Sequence, residues 1–306
     1  KEMPMNANIR IENLLALHGP MTGKELVQLT GLDAFLVWKS CNECERLSQT
    51  TIGRRYLRLD RQVEGYARLS PSILREFLGY TVVGLQDDQP RIIEKAASIH
   101  QAILKVSQDK FNLARLVVEK VIENQPDPQA LQQHACFLIA GDVAFGMAHR
   151  EPRPESSTGK LVNGSDLDIV VITDNLPPPL VYALDEAIYH QKYMLLKNPI
   201  YNEEIDFIIK DLDRVQEQLK FDRFESMVAV KILHEGLFLS GNQILFDRIK
   251  TLLDEHGIPE RIARLEEEAA RGRQEKWAAL IQLDRMPTEE ENLQLFYTME
   301  EVEEFF

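Results

Sequence analysis

The sequence predicts an α+β protein: a helical N-terminal module, a helical connector, a small mixed-sheet core and C-terminal helices. Three observations predict it. Apolar residues recur at helical spacing on both sides of Gly19-Pro20 and again over residues 92–121. Short β-rich runs at 136–140, 164–172 and 204–209 cluster in the middle of the chain. Residues 251–306 hold fifteen acids against six Lys+Arg, with Leu265, Ala269, Trp277, Leu280 and Ile281 as a packing stripe.

Composition bounds the answer. A chain of 306 residues predicts two or three domains, and 44% apolar with 27% charged residues excludes a disordered default. Every apolar run falls short of the ~18 residues needed to cross a bilayer, which excludes a membrane-spanning reading and a membrane partner. No basic segment followed by an apolar one opens the chain, and three cysteines make no disulfide framework, so the expected compartment is the cytoplasm. The net charge of −14 is uneven: residues 1–70 carry ten Lys+Arg against eight Asp+Glu, leaving 25 against 41 for the rest. Phosphate would be repelled over most of the surface, so nucleic-acid contact must be local or screened by metal.

The expected organisation is residues 1–70, a connector at 71–130, a core at 131–245 and an acidic helical region at 246–306. In the first, Ile11, Leu14, Leu15 and Leu17 make one amphipathic face that stops at Gly19-Pro20. Thr22 with Glu25 forms a capping box for a second helix that closes at Thr30-Gly31. Asp33 caps a third helix expected to run from Ala34 to about Leu47, and residues 51–59 read as two strands around Gly53. Cys41 and Cys44 form a lone CxxC on a helix; without a second pair at zinc spacing they read as buried thiols. Residues 71–125 read as helical and connecting, with a break at Asp87-Asp88-Gln89-Pro90.

Three helices with a tight Gly turn before the third, then a basic hairpin, resemble the winged helix-turn-helix family over residues 6–68. The resemblance implies duplex DNA as a partner, with the third helix in the major groove and the wing on the backbone. The residues it points to are Lys39, Asn42 and Arg46 on the third helix, read as exposed, and Arg54, Arg55, Arg58 and Arg61 in the wing. Glu43 and Glu45 oppose that use, so a protein-docking or dimerising module is the alternative.

The core carries the chemistry. An apolar strand at 136–140 runs into Gly141-Asp142-Val143-Ala144-Phe145-Gly146. A polar and basic spacer containing His149, Arg150, Arg153 and Lys160 follows, then Gly164-Ser165-Asp166-Leu167-Asp168 opens the next strand. Strand alternation puts Asp166 and Asp168 on one face, about 6.6 Å apart along the chain, and a neighbouring strand ~4.8 Å away can add Asp206. Three clustered carboxylates repel unless cations join them, and magnesium, a hard ion held by carboxylates and substrate phosphates, is the expected one.

An apolar strand, Gly-x4-Gly, Ser-Asp-x-Asp and a later Asp, in that order over residues 134–245, resemble the DNA polymerase β-like nucleotidyltransferase superfamily. The segment from His234 through Gly236 and Ser240 to Gly241 is similar to the helix-to-Gly element of its minimal members. The resemblance implies that Asp166, Asp168 and Asp206 hold two Mg2+ ions and that Asp206 helps lower the pKa of an acceptor hydroxyl. It further implies that Gly141 and Gly146 open backbone N–H groups at a helix start to an NTP, ATP first among them, with Asp142, Ser165 and Lys160 beside the nucleotide. The acceptor would be protein, RNA or a small molecule, and a homodimer is left open. Asp142 departs from the pattern, because an acid stands where a serine or glycine usually meets the triphosphate. A DNA-binding regulator with a nucleotide-sensing transferase domain is therefore carried as the alternative, and an interaction module of a defence operon as a third. No P-loop, HExxH or Gly-x-Ser-x-Gly element competes, and His134, Asp174, Asp211 and Asp213 read as structural or capping residues.

Overall fold

The first helix of the computed structural model, α1 (Glu2–His18), ends where Gly19 adopts a left-handed φ of 82° ahead of Pro20. Its buried side is Ala7, Ile11 and Leu15, each four residues from the next; Leu17, expected on that side, is 76% exposed because it lies off that line. The structure describes residues 2–155, 159–299 and 301. Strand β1 (Met21–Thr22) leads into α2 (Gly23–Thr30) through the predicted capping box: the Glu25 N–H donates to Thr22 Oγ1 at 3.2 Å and the Thr22 N–H to Glu25 Oε2 at 2.7 Å. Gly31 closes α2 at φ 62°, and Asp33 caps α3 (Ala34–Glu43) by accepting from the Phe35 N–H at 2.9 Å. Helix α3 stops at Glu43 rather than near Leu47, because Cys44 is already extended and Leu47 begins a strand.

The hairpin expected over residues 51–59 is not formed. Strand β2 (Leu47–Thr51) is followed by β3 (Tyr56–Leu59) and β4 (Ala67–Ser70), then by α4 (Ile73–Tyr80) and β5 (Thr81–Leu85). β3 pairs with β4, whereas β2 pairs antiparallel with β5, Gln49 opposite Val83. β1 takes the other edge of β5, so a strand missed in the supposedly helical connector is the centre of a three-stranded sheet. Val82 and Val83 are fully buried, and a short run of that kind has no period that separates strand from helix.

Helix α5 (Gln89–Glu123) carries Pro90 in its first turn, where no backbone donor is needed. Next come α6 (Pro128–His134), β6 (Ala135–Ile139), α7 (Gly141–Phe145), β7 (Arg153–Pro154), β8 (Leu161–Val162) and β9 (Leu167–Thr173). They are followed by α8 (Pro178–Lys197), β10 (Ile205–Asp211), α9 (Leu212–Gln218), α10 (Phe224–Glu235), β11 (Leu237–Gly241) and α11 (Gln243–Glu255). The chain continues as α12 (Ile258–Gln282), α13 (Glu289–Glu291) and a π-helical turn, Asn292–Phe296.

The chain divides into two units that interleave along the sequence. One is made of residues up to 58, 67–102 and those from 266 onward; the other of 59–66 and 103–265. In the first, Ile11, Leu26, Phe35, Trp38, Phe77, Val83, Leu280 and Phe296 share one core, so the end of the acidic C-terminal region packs with the N-terminal helices. In the second, a mixed sheet has the order β10-β9-β6-β11, with β10 parallel to β9 and β6 antiparallel to β9 and β11. All five residues of β6 are buried, which is why it reads as an unbroken apolar run. The 59–66 segment packs within this second unit: Arg61 pairs with Glu225 and lies 5.0 Å from the Phe224 ring, and Tyr66 meets the same ring at 5.1 Å. Arg61, read as a wing residue, is thus engaged by α10.

Candidate functional site

Parallel pairing of β9 with β10 sets the site. Asp168 and Asp206 are register partners across the two strands, and Asp166 stands one residue before β9. The Leu167 N–H donates to Glu204 O at 2.9 Å, which holds the strand starts together. Asp166, Asp168 and Asp206 each offer a carboxylate oxygen within 4.8 Å of the others, the convergence expected from strand alternation.

The surrounding charges hold this cluster from below. Lys110 of α5, with its side chain 2% exposed, donates to Asn163 O and Ser165 O at 2.8 Å and pairs with the Glu203 carboxylate. It pins the loop that presents Asp166. Arg153 is buried as well: its Nε donates to Gly164 O at 2.9 Å, and its outer nitrogen pairs with Asp166 and lies 3.0 Å from Glu204 Oε2. Lys192 of α8 reaches Asp206 at 3.1 Å. Burial pushes the Asp166 carboxyl up to about 6 from 3.8; Arg153 opposes this, while Glu204, Asp206 and Asp142 add to it. Arg153 therefore offsets only part of what burial does to this carboxyl.

Gly141 opens α7 at φ 64°, and a Cβ there would strike Asp168 Oδ2, so glycine gives the carboxylate its room. The expected phosphate-facing amides are taken in this structure. The Gly141 N–H donates to Glu235 Oε1 at 3.2 Å, and Gly146 caps the end of this five-residue helix, its N–H bonded to Val143 O at 3.2 Å. Asp142 accepts from Ser165 Oγ at 2.8 Å, so these two candidates bind each other across the loop. Lys160 is exposed, on the segment after β7.

The donor set fits a hard divalent cation: three carboxylates at ligand spacing, with a glycine cradle beside one of them. Nothing in it distinguishes magnesium from other hard ions.

The residues read as DNA-facing fare differently. Lys39 is not exposed as expected: its ammonium donates to Ile281 O at 2.8 Å and also to Leu283 O, and thus caps the end of α12. Asn42 is half-buried and donates to Trp38 O at 2.7 Å. Arg46 follows α3 rather than lying on it and pairs with Glu12 at 3.0 Å. Arg55 forms a fork on Glu76, at 2.6 and 2.8 Å. Arg54 is exposed and Arg58 half-buried.

Other expectations resolve simply. Cys41 is a buried free thiol as expected, but Cys44, expected buried too, is half-buried, with its thiol donating to Glu12 Oε1 at 3.5 Å; Cys136 is also buried, and burial pushes it up to about 12. His134 Nδ1 lies 2.9 Å from Asp174 O, and Asp211 caps α9 through the Arg214 N–H at 2.8 Å. Sequence reasoning missed Lys110 and Glu203, which stand in no motif, and gave no role to Glu204, in the run 204–209, or to Glu235, in the segment from His234 to Gly241; Arg153 was weighed only as loop charge. Among the described residues no helix is long and apolar enough to cross a membrane. Compared with known proteins, the chain matches no protein-family model, no curated protein and no solved structure.

Proposed function

We propose that the chain is a magnesium-dependent nucleotidyltransferase that moves a nucleoside monophosphate from an NTP, ATP first among candidates, to a hydroxyl of a protein, RNA or small molecule. The reading rests on the resemblance to the polymerase β-like superfamily and is carried by one observation, the convergence of Asp166, Asp168 and Asp206 within 4.8 Å. Asp166, Asp168 and Asp206 would hold the ions. Bound magnesium would supply positive charge at the attacking and leaving oxygens of an in-line displacement that releases pyrophosphate. Lys110 and Arg153 fix the loop so that Asp166 meets the other two acids, and the Gly141 cradle orients Asp168. Ser165 ties down Asp142, which moderates the acid that departs from the family pattern. Two buried free thiols suit a reducing compartment such as the cytoplasm.

The test is pyrophosphate release from each NTP with magnesium, in wild type and Asp168→Asn. Loss of at least ~100-fold with an unchanged unfolding midpoint is the expected outcome, since even indirect ligand partners cost 10–100-fold. Wild-type release from Asp168→Asn would refute the reading.

A second reading, a nucleotide-sensing domain without turnover, is favoured by Arg153, whose guanidinium already pairs with Asp166. NTP binding with no pyrophosphate released from any NTP would select it. The first unit is read as winged-helix-like on α1 to α3 and the Gly31 turn. Lys39 and Arg55 are engaged internally and Arg46 pairs with Glu12, which weakens the case for duplex DNA against the protein-docking alternative.

A further inference from the structure

The sheet of the second unit has two edges, and they are finished differently. At β11 the register with β6 shifts between Phe238 and Ser240, the kind of irregularity that discourages a further strand. β10 pairs with β9 without a break from Ile205 to Asp211, contains no proline, and has no strand on its other side among the described residues. We propose that this edge, with the adjoining stripe of α8, is an interface to a second copy of the chain, built around a twofold axis at Ile208.

An open strand offers hydrogen bonds to any extended partner, so the choice of occupant rests on what flanks it. α8 lies over β9 and β10, where Leu184, Ile188 and Leu195 share a core with Ile169 and Ile205. Two contacts set its direction along the edge: Lys192 reaches Asp206 at 3.1 Å, and Tyr182 shares a cavity wall with Ile209, Lys210 and Asp211. Five strand steps from Asp206 to Asp211 cover ~16 Å, and ten helix steps from Lys192 to Tyr182 cover ~15 Å. The helix therefore runs antiparallel to the strand, and the position level with Ile208 is at about residue 188.

Tyr182, Asp185, Tyr189, Lys192 and Leu196 follow one another at steps of three and four, so they form a single stripe, on the side of α8 that reaches Asp206. Tyr182 is 73% exposed and Tyr189 65%, two large rings that the fold leaves in water. The stripe is its own complement. Its acid lies toward the N-terminal end and its base toward the C-terminal end, so an antiparallel copy brings Asp185 to the partner's Lys192 and Lys192 to the partner's Asp185. The midpoint of Asp185 and Lys192 falls level with Ile208 to within about one helix residue, ~1.5 Å. Strand and helix thus call for the same axis.

Identical strands paired antiparallel about a twofold axis normal to their sheet set one residue against its own copy. With Ile208 in that place, the middle of β10 and 52% exposed, all seven residues overlap and Ile205 faces the partner's Asp211. The two copies of α8 then lie two strand spacings apart, ~10 Å, which is packing distance for helices. The strand that carries Asp206 is held on both sides.

Sedimentation equilibrium of the full chain from ~1 to ~100 µM, a range that brackets a micromolar Kd, should give the mass of a dimer. Asp185→Lys and Lys192→Asp should each weaken association at least ~tenfold by facing like charges, and the double variant, with both signs exchanged, should recover most of it. Lys192→Asp also adds an acid beside Asp206, so a second measurement avoids that position. A short bis-maleimide should join Tyr189→Cys chains across the axis and leave Met194→Cys chains, altered at an exposed position on another side of α8, no more joined than wild type. A chain that stays monomeric across the range would leave the edge to a strand of another protein and overturn the proposal. A dimer whose Kd is unchanged in Asp185→Lys, or equal joining of the Tyr189→Cys and Met194→Cys chains, would overturn it as well.

Discussion

The two units gather charge in opposite ways. In the second, like charges converge: three carboxylates share a space of 4.8 Å, and burial, with neighbouring acids adding to it, drives one of them up to about 6. In the first, unlike charges pair off: Arg55 and Arg273 close on Glu76, Arg46 on Glu12, and Lys39 on helix-terminal carbonyls. Crowded charge of one sign costs free energy, and a cluster of this kind could hold a cation. Paired charge is satisfied within the protein, so an arginine count says little about a partner until the pairs are seen.

The contrast breaks most sharply at Lys110. The Lys110–Glu203 pair is nearly inaccessible, with side chains 2% and 9% exposed, and burial lowers the ammonium's pKa while raising the carboxyl's. Such a pair is expensive to bury and costlier to halve. Lys110→Met strands Glu203 and frees Asn163 O and Ser165 O from the loop that carries Asp166. A loss of about 3–5 kcal/mol is expected by urea unfolding, with part of it restored by adding Glu203→Gln. A loss below ~1 kcal/mol would mean that the acid cluster stands without this support.

Lys110 also shows where the sequence stopped being readable. The carboxylates were legible because strand alternation and parallel pairing are local rules: Asp166 and Asp168 lie two apart, and Asp206 needs only an adjacent strand. The capping of α2 and α3 was legible for the same reason. Lys110 lies on a long helix whose periodicity marks an amphipathic face but not which distant carbonyls one ammonium will meet. Strand β5 was missed because five residues inside a helical stretch carry no distinguishing period, and the hairpin was misdrawn because the partner of β2 is β5. Lys39 reads as a surface basic residue, and only the return of α12 to the N-terminal core reveals that it caps a helix end.

A middle-sized effect tests the burial and crowding of Asp166 together. Asp166 has a folded pKa of about 6 against an ordinary 3.8, so the folded state binds its proton more tightly than the unfolded chain does. The stability this group contributes is therefore fully present below about pH 4 and is lost as pH rises through 6, by at most about 3 kcal/mol. Without divalent ions, the stability of wild type relative to Asp166→Asn should fall across that window, and magnesium should restore it above pH 6, where the carboxylate is free to take an ion. A flat difference from pH 4 to 7 would show that Arg153 and Lys192 already neutralise the cluster and would remove the physical case for a metal.

The smallest effect lies on the paired side. Arg46 and Glu12 are 3.0 Å apart, but the arginine side chain is 74% exposed, and a solvated pair of this kind is worth about 0–1 kcal/mol and less in salt. Arg46→Ala should therefore change the unfolding free energy by under ~1 kcal/mol. Its effect on duplex DNA separates the two uses of the residue. If Arg46 leaves Glu12 for a phosphate, the slope of log affinity against log salt should shrink by roughly 0.9, the loss of one phosphate contact, with the same change for every DNA sequence. If the slope does not move, Arg46 belongs with Lys39 and Arg55 among cations that serve the first unit's own structure, and the contrast between a self-satisfied unit and a cation-seeking one becomes sharper.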